Sequence, residues 1–226
     1  NATAYDSTLE ADPNPFYYRY EKVQFRGAAN VQRRIGKSSA RFLLGLGFAH
    51  ANTDETPYDS GTTLLATQLA GSPAPEGNTN YMRAGLIWDT RDREIGPTRG
   101  TFADVIVQRV DEMLGSTTSY TRATATVRHF LPVSSRMVAA SRVLLQQADA
   151  TVPLYDIATV LASYKSMEGL GGDNSVRGLA WDRFVGRSMA IGNAELRWRF
   201  WDFSVRGKPA FLLANGSVDA GRVWGG

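Results

Sequence analysis

A single arginine inside a glycine-rich stretch is the residue of this sequence that most clearly suggests a specific chemical role. Arg177 stands between Val176 and Gly178, and Gly171 and Gly172 precede it by a few positions. A guanidinium carries five donors in a fixed fork and keeps its charge in proteins. If the stretch folds against a protein surface, this arginine needs carboxylates. If the stretch is a surface turn, the arginine is simply solvated.

Two carboxylates occupy suitable positions on later strand-like stretches. Glu195 lies within residues 187–200 and Asp219 within residues 210–220. Counting alternate residues places each acid on the polar side of its own strand. Neighbouring strands lie only ~4.8 Å apart, so one guanidinium can reach both acids. If the stretch folds inward, the sequence therefore predicts that Arg177 lies within salt-bridge distance of Glu195 or Asp219, and near both.

Catalytic chemistry has little support in this sequence. The chain has two histidines and no cysteine, and it lacks a G-x-S-x-G elbow, a Walker A motif and an H-E-x-x-H motif. A metal site made of Asp89, Asp92 and Glu94 is conceivable, but Arg91 and Arg93 interrupt these acids, which favours a turn of mixed charge. We therefore predict no catalytic residues, no cofactor and no metal.

The composition excludes some classes of protein and leaves others open. The chain has 226 residues, a net charge of +3 and arginines spread along its length, which does not indicate nucleic-acid binding. No apolar run approaches the ~18 residues of a spanning helix. These properties fit a soluble β protein, and they equally fit a transmembrane barrel whose strands bury only alternate residues in lipid.

Alternation with a period of two is the dominant pattern. In residues 187–200 one face carries Asn193, Glu195 and Arg197, whereas the other carries Leu196 and Trp198. Soluble strands average ~5–6 residues, but several stretches here run for about 10 or more, as tilted membrane strands require. The predicted strands are 16–35, 40–51, 80–92, 100–112, 118–131, 136–149, 187–200 and 210–220. Small residues on the polar side of 40–51 would leave room for something inside a barrel.

The connections between these strands form two classes. Short turns are predicted at 36–38, 131–135 and 201–203, and long polar loops at 52–79, 112–118 and 150–182. Short turns at one edge and long loops at the other are typical of an outer-membrane barrel. The 150–182 loop contains the arginine stretch. Loops of this length are uncommon in compact domains and are usually functional. We therefore predict an all-β, antiparallel transmembrane β-barrel.

Several short motifs occur in a characteristic order and together suggest a family. The motifs are Asp89-Thr90-Arg91-Asp92, Pro97 with Gly100, Gly171-Gly172 with Val176-Arg177-Gly178, Glu195 on its strand, and Val218-Asp219-Ala220-Gly221. With these motifs the sequence resembles the surface-antigen barrel domain of the Omp85 superfamily (BamA-like and TpsB-like proteins) over roughly residues 79–226. One departure is Leu179, where the family prefers an aromatic residue.

The resemblance implies a domain plan and a set of functional contacts. Residues 1–226 would form part of a barrel of about sixteen strands, with about eight or nine strands in this chain. The 150–182 loop would fold into the lumen, and Asp89 and Arg91 would line the lumen wall. The loop–barrel contacts would involve Arg177, Glu195, Asp219, Val176, Gly178, Gly171 and Gly172.

The resemblance also implies a function. Such a protein would lie in the outer membrane of a Gram-negative bacterium or of an organelle of bacterial origin. It would insert and assemble outer-membrane proteins or translocate polypeptides, without a cofactor. Its partners would be the lipid bilayer, unfolded outer-membrane or secreted polypeptides, and periplasmic POTRA domains or accessory lipoproteins. The alternatives are a passive porin-like channel, the barrel anchor of a patatin-like lipase, and a soluble β-sandwich or lipocalin-like binder.

Overall fold

Eight long strands form one antiparallel sheet. The computed structural model describes residues 20–54, 63, 67, 75–163, 167–181 and 183–225. The strands are β1 (Glu21–Arg34), β2 (Ala40–Asp54), β3 (Gly77–Asp89), β4 (Gly100–Val110), β5 (Tyr120–Ser134), β6 (Met137–Ala148), β7 (Thr159–Val160), β8 (Met167–Glu168), β9 (Ser188–Val205) and β10 (Lys208–Trp224). The large sheet has the order β1-β2-β3-β4-β5-β6-β9-β10, and a separate two-stranded sheet pairs β7 with β8.

The two faces of the large sheet differ in character. One, the apolar face, exposes large hydrophobic side chains on strand after strand. The opposite, polar face carries charged and amide side chains from every strand. An exposed apolar surface of this extent marks a membrane or protein contact, and apolar-out, polar-in alternation is the pattern of a membrane barrel. The apolar face includes Phe25, Val31, Leu44, Leu46, Leu86, Trp88, Val105, Val127, Val143, Leu145, Leu196, Trp198 and Val218.

The strands are as long as a membrane span requires. They contain 11 residues in β4 and 18 in β9, and the other six long strands fall between these values. A tilted transmembrane strand needs about 9–11 residues. The predicted all-β antiparallel architecture is therefore confirmed. Within the described residues β1 and β10 are the two edges of the sheet. Among those residues, no helix is long and apolar enough to cross a membrane.

The predicted turn at 201–203 is wrong. Those residues lie inside β9, and the chain reverses at Arg206 and Gly207, whose φ angles are +51° and +74°. Two consecutive positive φ angles are typical of a tight hairpin turn whose twist matches that of the strands. The turn predicted at 131–135 is likewise displaced, because β5 continues to Ser134. The aromatic residues of 198–203 thus extend the strand.

The bounds of the long loops also differ from the prediction. β2 continues to Asp54 and β3 begins at Gly77, so the 52–79 loop is shorter than predicted, and most of it lies outside the described residues. The predicted start of the first strand, residues 16–19, also lies outside them. The 112–118 loop contains a short 3₁₀ helix, Glu112–Leu114. The third long connection, between β6 and β9, contains β7, β8 and the four-residue helix α1 (Leu154–Ile157).

The glycines of β2 do not leave free space on the polar face. A side chain at Gly45 would overlap the Asn30 amide, and one at Gly47 would overlap the Tyr81 ring. Arg83 occupies the same region and donates from Nε to the Asn30 Oδ1 at 2.7 Å. These small residues therefore make room for larger side chains of β1 and β3, which fill the space that the sequence predicted there.

Candidate functional site

The connection between β6 and β9 folds back over the polar face of the sheet. An apolar cluster holds it there: Leu170 and Val176 of the loop pack with Leu144 of β6 and with Met189 and Ile191 of β9. All five side chains are at least nine-tenths buried. The loop therefore covers hydrophobic side chains that would otherwise be exposed on a mostly polar wall. This packing positions the residues that follow, from Gly171 to Gly178.

Two glycines and a serine shape the arginine stretch. Gly171 and Gly172 have φ angles of +134° and +81°, a region that residues with a Cβ rarely adopt. A side chain at Gly171 would also overlap the Ala180 carbonyl. The Ser175 hydroxyl donates to the Gly171 carbonyl at 2.6 Å and accepts from the Gly171 amide at 2.7 Å. These constraints fix the turn that presents Arg177.

Arg177 bridges two carboxylates on the wall of the sheet. Its Nε and Nη2 donate to Oδ2 and Oδ1 of Asp219, each at 2.7 Å, and its backbone amide donates to Oδ2 at 3.0 Å. Nη1 donates to Oε2 of Glu195 at 3.1 Å. The two acids raise the pKa of Arg177 above its ordinary value, because both stabilise the charged guanidinium. The contacts that the sequence predicts are thus present.

Neighbouring side chains complete this arrangement, which we call the Arg177 cluster (Arg177, Asp219, Glu195, Asn193 and Arg197). The Asn193 amide donates to Asp219 Oδ1 and to the Ser175 carbonyl, both at 2.7 Å. Arg197 donates from Nε to Glu195 Oε1 at 2.6 Å. Both oxygens of each carboxylate therefore have donors, and the cluster is a connected network joining the loop to β9 and β10.

A glycine on β10 allows the loop to approach closely. A side chain at Gly221 would overlap Leu170 and stand 3.0 Å from Cγ2 of Val176. Gly221 follows Asp219 by two residues on the same face of the strand, so the acid and the gap are adjacent. The Val218-Asp219-Ala220-Gly221 motif therefore supplies both a carboxylate for Arg177 and the space into which the loop packs. Val176, by contrast, takes part only through packing.

A second cluster anchors the beginning of the loop. Asp156 of α1 lies 2.9 Å from Nη1 of Arg122 on β5, accepts from the Tyr120 hydroxyl, and accepts from the Thr159 hydroxyl at 2.8 Å. Arg122 also donates from Nη2 to the Asp156 carbonyl at 2.7 Å. The side chains of Arg122 and Asp156 are only 0% and 4% exposed. We call these four residues the Asp156 cluster.

Polar contacts also join the middle of the loop to the wall. Gln146 of β6 accepts from the Leu161 amide and donates to the Thr159 carbonyl, both at 3.0 Å. Asp104 of β4 accepts from the Ser163 amide at 3.2 Å. The loop is therefore held by side chains of β4, β5, β6, β9 and β10. Its backbone groups find partners on the barrel wall, as buried backbone must.

Asp89 and Arg91 lie elsewhere, beside the β3–β4 turn. Asp89 accepts from Arg91 Nε and from Arg41 Nη2, both at 2.9 Å. Arg91 lies over the Phe102 ring at 4.6 Å. Asp92 accepts a hydrogen bond from the Thr98 hydroxyl at 2.7 Å, and hydrogen bonding to its carboxylate lowers the pKa of Asp92 to about 2. The Asp-Thr-Arg-Asp motif thus closes a turn.

Several residues of the site were not singled out from sequence. Asn193 and Arg142 contact the loop from neighbouring positions of β9 and β6, and Asp156 is the acid of the second cluster. Arg122 offered a signal, since a cation on the inward side of a strand needs a partner. Nothing in the sequence identified Asp156 as that partner. In the described residues no group of three or more acidic or histidine side chains has a metal-binding arrangement.

An antiparallel sheet of long strands, apolar on one face and polar on the other with a loop docked on the polar face, is the architecture of part of a transmembrane β-barrel. Comparison with known proteins then identifies the family. The sequence matches the Omp85 superfamily domain over residues 2–226, and the chain belongs to that superfamily.

A solved structure shares the fold. The chain is similar to BamA from Haemophilus ducreyi lacking POTRA domains 1–3, with a TM-score of 0.64 and 17% sequence identity. The similarity covers 91% of this chain and 42% of that protein, so the chain spans less than half of its length. None of the curated proteins matches the sequence.

Proposed function

We propose that this chain is the barrel portion of an outer-membrane machine that inserts outer-membrane proteins or translocates polypeptides. The observation that carries the proposal is the loop docked on the polar face, with Arg177 bridging Asp219 and Glu195. Membership of the Omp85 superfamily supports it. The bilayer would be one partner, unfolded polypeptides would be the substrate, and periplasmic domains or lipoproteins would assist.

In this proposal the docked loop is part of the working machine. The Arg177 cluster fixes Gly171–Gly178 against β9 and β10, the last two strands of the described sheet. A client strand entering a barrel seam would need a wall of fixed geometry beside it, because strand addition depends on aligned backbone groups. The cluster would supply that rigidity. A passive porin would not need a loop fixed to its wall by such a cluster.

The test compares client handling with barrel formation. The full-length protein is reconstituted in liposomes with an unfolded outer-membrane protein, and the rate at which the client becomes protease-resistant is measured. Arg177→Ala should lower this rate about tenfold or more, because the loop loses its charge-assisted contacts. The variant should still show heat-modifiable migration, the sign of a folded barrel. Arg136→Ala, at the exposed β5–β6 turn, serves as the control.

The same liposomes discriminate the alternative function. A passive channel would conduct ions or release small solutes at equal or higher rates after Arg177→Ala, and it would not change the folding rate of the client. Wild-type liposomes that conduct ions but never accelerate client insertion or translocation would overturn the proposal.

A further inference from the structure

Four cationic side chains converge on a polar cavity at the end of β1. The cavity has a volume of about 300 Å³ and lies between the β1–β2 turn and the end of β3. Asp89 is the one acid that lines it, so the lining has three positive charges more than negative ones. The other lining residues are Arg34, Lys37, Ser38, Ser39, Arg41 and Arg91.

Asp89 is already shared by two of these cations. Its Oδ1 accepts from Arg91 Nε at 2.9 Å, and its Oδ2 accepts from Arg91 Nη2 at 3.0 Å and from Arg41 Nη2 at 2.9 Å. Both oxygens of the only acid of the lining therefore have cationic donors. In the part of the chain that the structure describes, no carboxylate lies within ion-pair distance of the other two cations, Arg34 and Lys37.

Arg34 lies directly opposite another arginine. It pairs with Arg41 at the end of the β1–β2 ladder, so both side chains lie on the polar face. Like charges directly opposite each other destabilise a sheet. Asp89 compensates the charge of Arg41 but has no contact with Arg34. An anion held between Arg34 and Lys37 would supply the compensation that the protein itself does not.

The backbone around the cavity is fixed by its own hydrogen bonds. The Ser38 hydroxyl donates to the Ile35 carbonyl at 2.7 Å and closes the β1–β2 turn. The Asp89 amide donates to the Ser39 carbonyl at 3.2 Å and joins this turn to β3. The stems of the cationic side chains therefore start from set positions, and such preorganisation lowers the entropic cost of binding a ligand.

The opposite face of the same strand end shows where the cavity lies relative to the membrane. The apolar face of β1 carries Val31, and two residues later it carries the exposed Arg33. The direct partner of Arg33 on β2 is Phe42. A cation and an aromatic ring at a strand end are typical of the level of the lipid headgroups. Arg34 follows Arg33 directly, so the cavity lies at that level.

We propose that this cavity binds a phosphate group, that of a lipid headgroup or of free phosphate, through Arg34, Lys37 and Arg41. The oxygens of a phosphate surround a tetrahedral centre and can meet donors from several directions, whereas a carboxylate presents two oxygens in one plane. Guanidinium forks bind two phosphate oxygens at once, and the lysine adds a point charge. The site depends on the charges of one turn and not on client insertion, so this proposal and the proposed function fail independently.

The test is a calorimetric titration of the full-length protein in a non-ionic detergent. The probes are inorganic phosphate, short-chain phosphatidylglycerol and, as the reference without a phosphate, diacylglycerol of the same chain length. We expect saturable heat with phosphatidylglycerol, none with diacylglycerol, and competition by inorganic phosphate. Binding of inorganic phosphate alone would identify free phosphate as the ligand and would also support the site. A glutamate-containing peptide that binds more tightly than both phosphate probes would overturn the proposal, because the ligand would then be an acidic polypeptide.

Variants locate the binding in the cavity. Arg34→Gln should weaken binding of the phosphate probe about tenfold, because a charge-assisted contact is lost. Lys37→Gln should weaken it less, since an ammonium contributes a point charge without a fork. Arg136→Gln removes an equal charge at the β5–β6 turn, from a side chain that is 59% exposed, and should leave binding unchanged.

Heat-modifiable migration verifies that each variant is folded. Arg34 has no ion-pair partner among the described residues, so its replacement leaves no acid unpaired and should not unfold the barrel. Absence of saturable binding by both phosphate probes, or equal binding by Arg34→Gln and wild type, would overturn the proposal.

Discussion

The two charged clusters that hold the loop are built for different environments. In the Asp156 cluster the side chains of Arg122 and Asp156 are 0% and 4% exposed. In the Arg177 cluster the Arg177 side chain is 31% exposed and borders a cavity, whereas that of Asp219 is only 6% exposed. Breaking a buried ion pair leaves an uncompensated charge in a medium of low polarity, whereas a partly solvated partner recovers hydration. Because only the arginine differs in exposure between the two pairs, we expect the beginning of the loop to be fixed more firmly than its arginine stretch.

This difference suggests a division of labour within one loop. The Asp156 cluster anchors α1 to β5 and keeps the loop on the polar face. The Arg177 cluster sets the position of Gly171–Gly178 against β9 and β10. When its contacts break, water can partly hydrate the released arginine. We therefore expect changes at Asp156 to reduce the stability of the whole barrel. We expect changes at Arg177 to act mainly on the loop and on client handling.

The largest expected effect is that of Asp156→Ala. It leaves the Arg122 charge buried without its carboxylate, and we expect the free energy of unfolding to fall by about 3–5 kcal/mol. Urea unfolding of the folded protein in detergent, followed by tryptophan fluorescence, measures this change.

The matched control is the double variant Arg122→Met with Asp156→Ala, which removes both charges. Replacing a buried ion pair by apolar residues is often close to neutral, so the double variant should recover most of the lost stability. A double variant as unstable as Asp156→Ala alone would show that the buried charge is not the cause.

A smaller effect is expected of Arg177→Lys. An ammonium is a point charge and cannot reproduce the fork that joins two oxygens of Asp219 and one of Glu195. We expect protection of residues 169–178 against added protease to fall about tenfold, while the free energy of unfolding changes by less than for Asp156→Ala. Limited proteolysis of the folded barrel measures the first quantity.

Arg197→Lys is the natural comparison for that variant. Arg197 contacts Glu195 through the single donor Nε, which a lysine can replace more easily. Its protease protection should therefore stay near the wild-type value. Equal losses in Arg177→Lys and Arg197→Lys would mean that charge alone, and not the fork, holds the loop.

The contacts of Arg177 with Glu195 and Asp219 could be predicted from the sequence, whereas the pairing of Asp156 with Arg122 could not. Glu195 and Asp219 lie on regular strands, where a period of two fixes which face a side chain occupies. Counting along each strand therefore places both acids on the inward face, where an arginine of the loop can reach them. Asp156 lies on a four-residue helix inside the loop, and no periodicity fixes the direction of so short an element. Its pairing with Arg122 depends on the path of the loop, which only the tertiary structure defines.

The strand ends show the same limit of sequence reasoning. The alternation of β9 predicted its inward face and its apolar face, but it did not predict that the strand continues to Val205. Trp201–Phe203 resembled a break because alternation is lost there, and aromatic residues occur on successive positions. The true turn depends on the backbone angles of Arg206 and Gly207. Turn chemistry, rather than hydrophobic pattern, decides where such a strand ends.

The smallest effect is expected of Glu195→Gln, and it tests which acid dominates the Arg177 cluster. Glu195 accepts one bond from Arg177, whereas Asp219 accepts two from the same guanidinium and one from the backbone amide of Arg177. A glutamine keeps the shape and one acceptor oxygen, so loop release should become easier by only about 1 kcal/mol. Asp219→Asn should release the loop more readily, because it removes the charge that faces both Nε and Nη2. Hydrogen exchange of the amides of 170–178 measures both variants on one scale. If Glu195→Gln exchanged faster than Asp219→Asn, Glu195 would be the main anchor, and the bridge from Arg177 to β9 would matter more than the fork on β10.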